Sequence, residues 1–398
     1  MLTRRVLLFI RAKEVFMLPA QRMASVQPSY IRNILKATQG NNVMSLAGGL
    51  PDERLFPTRL LDNAARELDQ NIEVYQYGLT RGLPALVEHL CAENNLPSDE
   101  QLLITTGSQQ GLDLICRAYL NPDDRVLAEA PVYLGALQAF QLAQAKVGLI
   151  DATSKGPDLD QLEAKLAKGC VKFFYAVPDF HNPTGTCWSK ATRIAVAELL
   201  DRYEVALIED VPYRQLRYSG EHLPLVSSLM KGDFFLLNSF SKIATSGMRL
   251  GCVQATKKLL QPLITIKQAS DLHTALPMQQ MLLSLLQAPE FEGHIASLRH
   301  HYGQRAQALA NALISQIGGR LTFNEVEGGM FLWARINCVN AVSLAQECLK
   351  NDLAVVPGQA FWPEGKAGYQ AIRLNFTRLA PADLEKAVGR LSSAMSAL

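Results

Sequence analysis

The chain has 398 residues, 48% of them hydrophobic, and its 39 basic and 37 acidic side chains leave a formal charge of +2. With this near balance the protein has no strong positive electrostatic field that would attract nucleic acid or an anionic membrane, so we expect a small-molecule partner. No window approaches the ~18 to 20 continuous apolar residues of a membrane helix, so no membrane span is expected.

The cysteines indicate a reducing compartment. The sequence has seven, an odd number, in apolar surroundings and without the C-x-x-C pair that would suggest zinc or redox chemistry. We therefore expect buried free thiols and a cytoplasmic protein.

Residues 1–16 differ in character from the rest of the chain. Their arginines precede an apolar run that is too brief for a signal sequence and lacks a small-residue cleavage site. We expect a disordered or mis-started extension, with Met17 as an alternative start. Residues 17–58 are predicted to form an N-terminal arm and part of a small domain.

Short apolar runs of strand length come next, with helical patterns between several of them. Because they are apolar nearly throughout, they suit strands buried on both faces of a sheet. The alternation predicts an α/β fold with a mostly parallel sheet, in a large domain over residues 59–275. The runs lie at 102–106, 125–130, 172–178, 205–210, 234–240 and 251–255.

Beyond about residue 275 the pattern changes. Helix-like segments over 278–317 are followed by the strand-like pieces GGMFLWARI, LAVVPG and AIRLNF, and by a last helix from about residue 381. These elements predict a smaller α+β domain over residues 276–398. No Gly/Ser or Pro linker separates the two domains, so we expect them to pack tightly.

The candidate chemistry lies where the strands end, because open α/β sheets bind ligands at the carboxyl ends of their strands. GSQQG (107–111) opens a helix whose free N–H groups form an anion site, although a plain helix cap is the more common role of such a serine. NPTG (182–185) follows the run at 172–178, and its residue types are also those of an ordinary turn.

Two single residues come at the ends of later strands. Asp210 ends the run at 205–210, where a lone aspartate usually serves as a cap or turn acceptor. Lys242 follows the run at 234–240, and a lysine there is normally a solvated charge. Ser239 and Ser241 flank the phenylalanine before this lysine, and Arg249 follows in the same stretch.

Together, these strand ends carry the parts of one chemistry. A buried lysine amine bonds covalently to an aldehyde, and serine hydroxyls, an arginine and a helix N-terminus can hold a phosphate. An aspartate placed against a protonated ring nitrogen keeps an electron-accepting ring electrophilic. These parts indicate pyridoxal 5′-phosphate as the cofactor.

The sequence resembles the class I/II aminotransferases of fold type I from about residue 27 to the C-terminus. Their motifs occur in order, including GGLPDERLFP, YQYGLTRGLPALVEHL, TGSQQGLDL, VPDFHNPTGTCWS, IEDVPY and NSFSKIATSGMRLG. The resemblance implies the fold of these pyridoxal-phosphate-dependent transferases, with a mostly parallel seven-stranded sheet in the large domain. The forms GGLP and PSYIRNILK are most similar to the 2-aminoadipate and kynurenine aminotransferase branch.

The resemblance also implies roles for single residues at the cofactor ring. Lys242 would hold the cofactor and move a proton between the substrate Cα and the cofactor carbon C4′. Asp210 would pair with the ring nitrogen, and Tyr133 would stack on the ring. Asn182 and Tyr213 would hydrogen-bond the phenolic oxygen.

For the cofactor phosphate, the resemblance implies a set of hydroxyl, amide and guanidinium groups. The expected ligands are Ser108, Gln109, Ser239, Ser241 and Arg249. Gly247 is predicted to let the chain turn back closely enough for the arginine to share the phosphate with the serines.

Substrate and subunit contacts are implied in the same way. Gly49, Asn182 and Arg373 would bind the substrate, with the Arg373 guanidinium clamping the α-carboxylate. Tyr77 matches a tyrosine that reaches the neighbouring subunit's site, which implies a homodimer; a core aromatic is the alternative. Arg32 matches an arginine that approaches a distal carboxylate, and a solvated charge on a helix face is the alternative.

The predicted function is transfer of an amino group from an L-amino acid, such as glutamate or 2-aminoadipate, to a 2-oxo acid such as 2-oxoglutarate, by a ping-pong route. The same cofactor residues would serve a lyase, decarboxylase or racemase. A non-catalytic, aminotransferase-like sensor domain is a further alternative, although few residues precede PSYIRNILK. A nucleotide-binding oxidoreductase is disfavoured because neither G-x-G-x-x-G after the first strand nor a P-loop occurs.

Overall fold

Strands and α-helices follow one another along the chain much as the sequence predicts. The computed structural model describes residues 18–26, 43–337, 339–363 and 367–398. The strands are β1 (Met44–Ser45), β2 (Leu102–Thr105), β3 (Arg125–Ala130), β4 (Lys146–Thr153), β5 (Gly156–Pro157), β6 (Val171–Ala176), β7 (Ala206–Asp210), β8 (Phe234–Ser239), β9 (Gly251–Gln254), β10 (Leu321–Phe323), β11 (Phe331–Ile336), β12 (Leu353–Ala354), β13 (Val356–Pro357) and β14 (Ala371–Asn375). The α-helices are α1 (Thr58–Leu68), α2 (Pro84–Glu93), α3 (Ser108–Tyr119), α4 (Leu134–Leu142), α5 (Leu159–Leu166), α6 (Lys190–Arg202), α7 (Lys257–Ser270), α8 (Leu276–Gln287), α9 (Glu290–Gln316), α10 (Ala341–Lys350) and α11 (Pro381–Ser396).

The central sheet has the strand order β2-β9-β8-β7-β6-β3-β4-β5. The pairs β7–β8, β6–β7, β3–β6 and β3–β4 are parallel, whereas β9 is antiparallel to both of its neighbours. The two-residue β5 extends one edge beyond the seven longer strands. The predicted α/β fold with a mostly parallel seven-stranded sheet is confirmed, with β5 as a small addition.

Two apolar cores cover the two faces of this sheet. Successive side chains of a strand point to opposite faces, so Tyr175 of β6 packs in one core with α3, α4 and α7. Phe174 packs in the other core with α5 and α6. The sequence does not predict β4, because Ile150 is its one buried residue and the strand lacks the all-apolar pattern of the others.

A second, antiparallel sheet with the order β10-β11-β14-β13 lies in the C-terminal part of the chain. Leu309 of α9, Leu374 of β14 and Val388 of α11 are buried in one shared core. The short β1 pairs with β12 in parallel, which joins the N-terminal segment to this part of the fold. The predicted α+β character is confirmed. None of the helices in the described ranges is long and apolar enough to cross a membrane.

The cysteines follow the sequence-based expectation only in part. Cys91, Cys116, Cys252 and Cys348 are buried free thiols. Cys170, in contrast, is exposed, because it lies in the connection between α5 and β6, and such connections run over the protein surface. The expectation that the thiols are buried was wrong for this residue and holds only in part for the half-buried Cys187. Cys338 lies outside the described residues.

The strand order brings the sequence motifs to one edge of the central sheet. Strands β3, β6, β7 and β8 are parallel, and β2 runs in the same direction because β9 is antiparallel to both β2 and β8. The chain segments that follow these five strands therefore leave the sheet on the same side.

Candidate active site

A cavity of about 490 Å³ lies at the carboxyl ends of the strands and contains nearly all of the predicted site residues. A larger cavity of about 1060 Å³ contains none of them. The predicted residues that line the smaller cavity are Gly49, Ser108, Gln109, Tyr133, Asn182, Asp210, Tyr213, Ser239, Ser241, Lys242, Arg249 and Arg373.

One end of the cavity is suited to an anion. Gly107, with a φ of 78°, precedes α3, and no side chain of the described residues caps that helix, so its first N–H groups are available to a negatively charged ligand. Arg249 reaches the same place, because a Cβ on Gly107 would lie 2.8 Å from its Nη2. Its Nη1 donates to Ser241 Oγ at 3.3 Å, and the nearby hydroxyl of Ser239 is also buried.

The close approach at this end depends on Gly251 and not on Gly247. A Cβ on Gly251 would lie 2.5 Å from the carbonyl oxygen of Asn238 and 2.8 Å from the amide nitrogen of Ser108. The prediction for Gly247 was wrong, because a Cβ there would meet nothing within 4 Å. Arg249 itself adopts the left-handed conformation, with φ 53° and ψ 52°, that turns the chain into β9.

Lys242 enters the cavity from a single 3-10 turn, Phe240–Lys242, directly after β8. Its Nζ donates to the carbonyl oxygen of Gly49 at 2.9 Å. Burial, together with the positive charges of Arg249 and Arg373, lowers the pKa of the lysine to about 8. A large fraction of the amine is therefore neutral in mildly alkaline solution, and the neutral form is the one that attacks an aldehyde.

Asp210 is the last residue of β7 and is buried. Its Oδ2 accepts a hydrogen bond from the hydroxyl of Tyr175 at 3.0 Å. Its Oδ1 is buried and has no hydrogen-bond partner among the described residues. Burial raises the pKa of this carboxyl group to about 7, although the bond from Tyr175 acts in the opposite direction. A buried carboxylate oxygen without a partner indicates a missing donor.

Arg373 lies in β14 with its guanidinium between two aromatic rings. The guanidinium carbon is 4.4 Å from the ring centre of Phe331 and 5.2 Å from that of Phe361. Its Nη1 donates to Asn182 Oδ1 at 2.8 Å, and its Nη2 donates to the carbonyl oxygen of Ala47. Its Nε has no partner in the described part of the chain, and burial lowers the pKa of the group to about 10. The stacked guanidinium is thus fixed and retains an unused donor.

The remaining polar side chains of the cavity are linked by hydrogen bonds. The hydroxyl of Tyr133 donates to Gln109 Oε1 at 3.3 Å, and Gln109 Nε2 donates to the carbonyl oxygen of Gly135 at 2.9 Å. Tyr213 is hydrogen-bonded to Asn182, but burial dominates and raises the pKa of its phenol. Tyr133 and Tyr213 both line the cavity that also contains Lys242 and Asp210.

Two predicted site residues are not placed in this cavity. Tyr77 does not line it and is 80% exposed, with its ring in edge contact with His273 at 6.0 Å between centres. The alternative of a core aromatic is wrong for Tyr77. Arg32 lies outside the described residues.

Sequence reasoning missed Tyr175, Leu134 and Gln138, which also line the cavity. Tyr175 lies inside an apolar run, where a tyrosine has the pattern of a core residue, and it reaches Asp210 only through the register of two strands. Leu134 and Gln138 lie four residues apart, on one face of α4. Because Tyr133 was predicted at the site and directly precedes this helix, the face of the helix that follows it could have been predicted to line the cavity as well.

Comparisons with known proteins identify the family of the chain. The family model described as aminotransferase class I and II matches residues 41–391. A 2-aminoadipate transaminase from Thermus thermophilus is 35% identical over 380 residues, which cover 94% of this chain and 95% of that protein.

Two solved structures have the same fold over nearly the whole chain. An alpha-aminoadipate aminotransferase of Thermus thermophilus, complexed with N-(5′-phosphopyridoxyl)-L-leucine, matches with a TM-score of 0.89 and 32% identity, over 95% of this chain and 97% of that chain. The kynurenine aminotransferase of Pyrococcus horikoshii, in a complex with PMP, matches with a TM-score of 0.91 and 31% identity, over 96% of this chain and 97% of that chain.

The chain belongs to the class I and II aminotransferase family. It is a fold-type I aminotransferase that depends on pyridoxal 5′-phosphate, and its substrates are amino acids and 2-oxo acids. The predicted family, fold, cofactor and enzyme class are thus confirmed. The alternatives of a lyase, a decarboxylase or a sensor domain are not favoured.

The residues of the cavity fit this cofactor. A phosphate has a complementary place at the uncapped start of α3, beside Arg249. An aldehyde is matched by the amine of Lys242, and a protonated ring nitrogen is matched by Oδ1 of Asp210, which has no partner within the described ranges.

Proposed function

We propose that the enzyme transfers the amino group of an L-amino acid to a 2-oxo acid such as 2-oxoglutarate in two half-reactions, with the pyridoxamine phosphate form between them. The observation that carries the proposal is that Lys242, Asp210 and Arg373 line one cavity, while Oδ1 of the aspartate and Nε of the arginine have no hydrogen-bond partner in the described part of the chain. When bound, pyridoxal phosphate supplies an aldehyde that takes up the amino group and a ring that accepts electrons from the substrate Cα.

In this proposal, the phosphate is held by groups of three kinds. The N–H groups at the start of α3 and the serine hydroxyls would donate hydrogen bonds to the phosphate, and the guanidinium of Arg249 would add a positive charge. The left-handed backbone of Arg249 and the glycine at position 251 support this role, since they bring the strand ends together. The proposed phosphate ligands are Ser108, Gln109, Ser239, Ser241 and Arg249.

The ring is held and the proton is moved by a second group of residues. Asp210 Oδ1 would accept a hydrogen bond from the protonated ring nitrogen, and Tyr133 would stack on the ring. Asn182 and Tyr213 would donate to the phenolic oxygen. Lys242 Nζ would carry a proton between the substrate Cα and the cofactor carbon C4′, and its lowered pKa suits both directions of that transfer near neutral pH.

The substrate α-carboxylate binds to Arg373, beside Asn182 and Gly49. The guanidinium is already oriented by the rings of Phe331 and Phe361, so little conformational freedom is lost when a carboxylate binds. Every amino acid carries the α-carboxylate, and this contact therefore supports amino-acid substrates without selecting among their side chains.

For the side chain, we propose dicarboxylic substrates such as glutamate and 2-aminoadipate, within a broad specificity. The support is the 2-aminoadipate named for the Thermus thermophilus relative. A broad specificity is supported by the phosphopyridoxyl-leucine bound to an alpha-aminoadipate aminotransferase and by the kynurenine named for the Pyrococcus horikoshii enzyme. Arg32 would approach the distal carboxylate. Arg32→Ala should lower kcat/KM for glutamate more than for leucine; equal efficiency for the two would remove the role of Arg32.

We also propose that the enzyme is a cytoplasmic homodimer with shared sites. Ile72, Tyr75, Tyr77 and Leu79 expose 79%, 60%, 80% and 62% of their surfaces within one short stretch, and such a patch typically marks a contact with another chain. A second copy would cover this patch and receive Tyr77 at its cofactor. We propose, in addition, that the chain is divided into an N-terminal arm with part of the small domain (17–58), a large domain (59–275) and the rest of the small domain (276–398).

A spectroscopic half-reaction tests the proposed function. The absorption spectrum of the purified holoenzyme should change to that of the pyridoxamine form when L-glutamate is added without an acceptor. The original spectrum should return when 2-oxoglutarate follows. Release of ammonia or carbon dioxide from the amino acid, or a spectrum that does not respond to any amino acid in a panel, would overturn amino transfer.

A further inference from the structure

Tyr175 is a cavity residue to which the proposed function gives no task. It lies in β6, is 2% exposed, and lines the same cavity as Lys242. One edge of its ring packs against Phe140, with 5.8 Å between centres, inside the core that covers this face of the sheet. Its hydroxyl is the one group among the described residues that holds Asp210 Oδ2, at 3.0 Å.

The sheet places this hydroxyl beside the aspartate by register. Tyr175 pairs with Ile208 in the parallel β6–β7 ladder, and Asp210 lies two residues beyond Ile208 on the same face. Glu209 lies on the opposite face, where the amides of Val226 and Ser227 donate to it. The two acidic neighbours at the end of β7 are thus separated, and Asp210 alone faces the cavity with Tyr175.

The direction of the Tyr175 hydrogen bond is settled by the charges. Burial and the nearby carboxylate of Asp210 raise the pKa of the Tyr175 phenol well above its ordinary value, so the hydroxyl stays protonated and donates. The same bond favours the charged form of Asp210 and lowers the pKa of that carboxyl group. One carboxylate oxygen is therefore occupied, and the other, Oδ1, is left for a donor in the cavity.

We propose that Tyr175 is a positioning residue for the cofactor: its hydroxyl holds Oδ2 of Asp210, so that an ionised Oδ1 is presented to the ring nitrogen. The proposal rests on the role proposed above for Asp210. It predicts that Tyr175 acts on cofactor binding and on the ionisation of Asp210, without touching the reacting atoms.

The competing explanation is structural: a buried tyrosine needs a partner for its hydroxyl, and Asp210 is within reach. Tyr119 provides a matched control. Its hydroxyl donates to the carbonyl oxygen of Leu259 at 2.9 Å, its half-buried ring packs against the same apolar core, and it does not line the cavity. Tyr119→Phe and Tyr175→Phe each remove one hydrogen-bonded hydroxyl, but only the second removes a bond to Asp210.

The first measurement is an infrared titration of the cofactor-free protein, with the Asp210 carboxyl band assigned by its loss in Asp210→Asn. Tyr175→Phe should raise the pH at which Asp210 loses its proton by about one unit, the effect of losing one hydrogen bond to a charged group. Tyr119→Phe should leave that pH unchanged. Equal titrations in wild type and Tyr175→Phe would overturn the proposal.

Other titrating groups do not confuse this comparison. The phenols of Tyr175 and Tyr213 interact with Asp210, and their raised pKa values keep both protonated through the range of the experiment. Lys242 titrates in the same cavity, with a pKa of about 8, but it is present in every variant, so its contribution is common to all of them.

The second measurement is the affinity of the cofactor-free chains for pyridoxal phosphate by equilibrium dialysis. We expect Tyr175→Phe to bind about tenfold more weakly than Tyr119→Phe at neutral pH. If Asp210→Asn binds as tightly as wild type, the role proposed for Asp210 fails. If Asp210→Asn binds weakly but Tyr175→Phe binds as Tyr119→Phe does, that role survives and the positioning role of Tyr175 is overturned.

Discussion

Replacing Asp210 with asparagine should stabilise the cofactor-free protein in neutral and alkaline solution. The side chain is 4% exposed, and burial raises the pKa of its carboxyl group from 3.8 to about 7. Keeping the carboxylate charged in the folded chain therefore costs free energy. Asparagine has nearly the same shape, can still accept the hydrogen bond from Tyr175, and carries no charge.

The size of the effect follows from the pKa difference of Asp210. Folding raises this pKa by about 3 units, and each unit corresponds to about 1.4 kcal/mol, so the charged group costs about 4 kcal/mol above pH 7. Between pH 3.8 and about 7 the folded protein binds more protons at this site than the unfolded chain does, so this contribution to stability falls as the pH rises. Below pH 3.8 both states are protonated and the cost disappears.

The assay is urea unfolding of cofactor-free wild type and Asp210→Asn across this pH range. Other groups titrate in both proteins, so the difference between the two unfolding free energies isolates residue 210. The advantage of the variant should grow from near zero at acid pH to a few kcal/mol above pH 7. A difference in unfolding free energy that does not change with pH, or a variant less stable than wild type at pH 8, would refute the reasoning.

The same substitution should lower the rate of transamination on the order of 100-fold. The variant would then be more stable but less active than wild type.

Arg373→Lys should lower kcat/KM for amino acids roughly 10- to 100-fold, because an ammonium cannot reproduce the stacked, forked donor. Steady-state kinetics with the exposed Arg59→Lys as control measure this, and unchanged efficiency would contradict the carboxylate role. The rate of pyridoxal phosphate uptake by the cofactor-free protein should rise with pH and level off above about 8, where Lys242 becomes neutral. A rise that continues to about pH 10, as for an ordinary lysine, would contradict the lowered pKa. Mixing inactive Lys242→Ala chains with Tyr77→Ala chains should restore part of the activity, because each hybrid dimer has one site with both residues intact. If the two kinds of chain exchange into hybrid dimers and these dimers are inactive, shared sites are excluded.

The strand ends could be predicted from the sequence because of one physical regularity. An apolar run that ends abruptly in a polar residue marks where a buried strand leaves the sheet, and parallel strands leave on one side. Asp210 and Lys242 were placed in this way, and they lie in one cavity. Arg373 could be predicted only from the family resemblance, because an arginine within a strand pattern does not by itself indicate a substrate-binding residue.

Tyr175 could not be predicted by the same reasoning. It lies inside a strand, where the period-two pattern assigns its ring to the core, and its ring does pack there. Its contact with Asp210 depends on which residues of β6 and β7 pair, and the sequence of two parallel strands does not specify that register. Strand β4 was missed for a related reason: its residues are mostly not buried, so the apolar run that marks the other strands is absent.

The turn before β9 shows a limit of reasoning from glycine. A glycine can adopt positive φ at low cost, and this made Gly247 the natural candidate for a close turn. In the structure, Arg249 takes the left-handed conformation, while Gly251 provides the space. Residue type tells which positions tolerate such a conformation, but the packing of β2, β8 and α3 decides where the fold requires it.

The central claim is that Lys242 is the residue to which the cofactor is attached, and borohydride reduction followed by peptide mass spectrometry tests it most directly. The account predicts a phosphopyridoxyl group on the peptide that contains Lys242, and loss of that label when L-glutamate is added before reduction. A label on another lysine, such as the buried Lys267 that is paired with Asp271, would contradict the account.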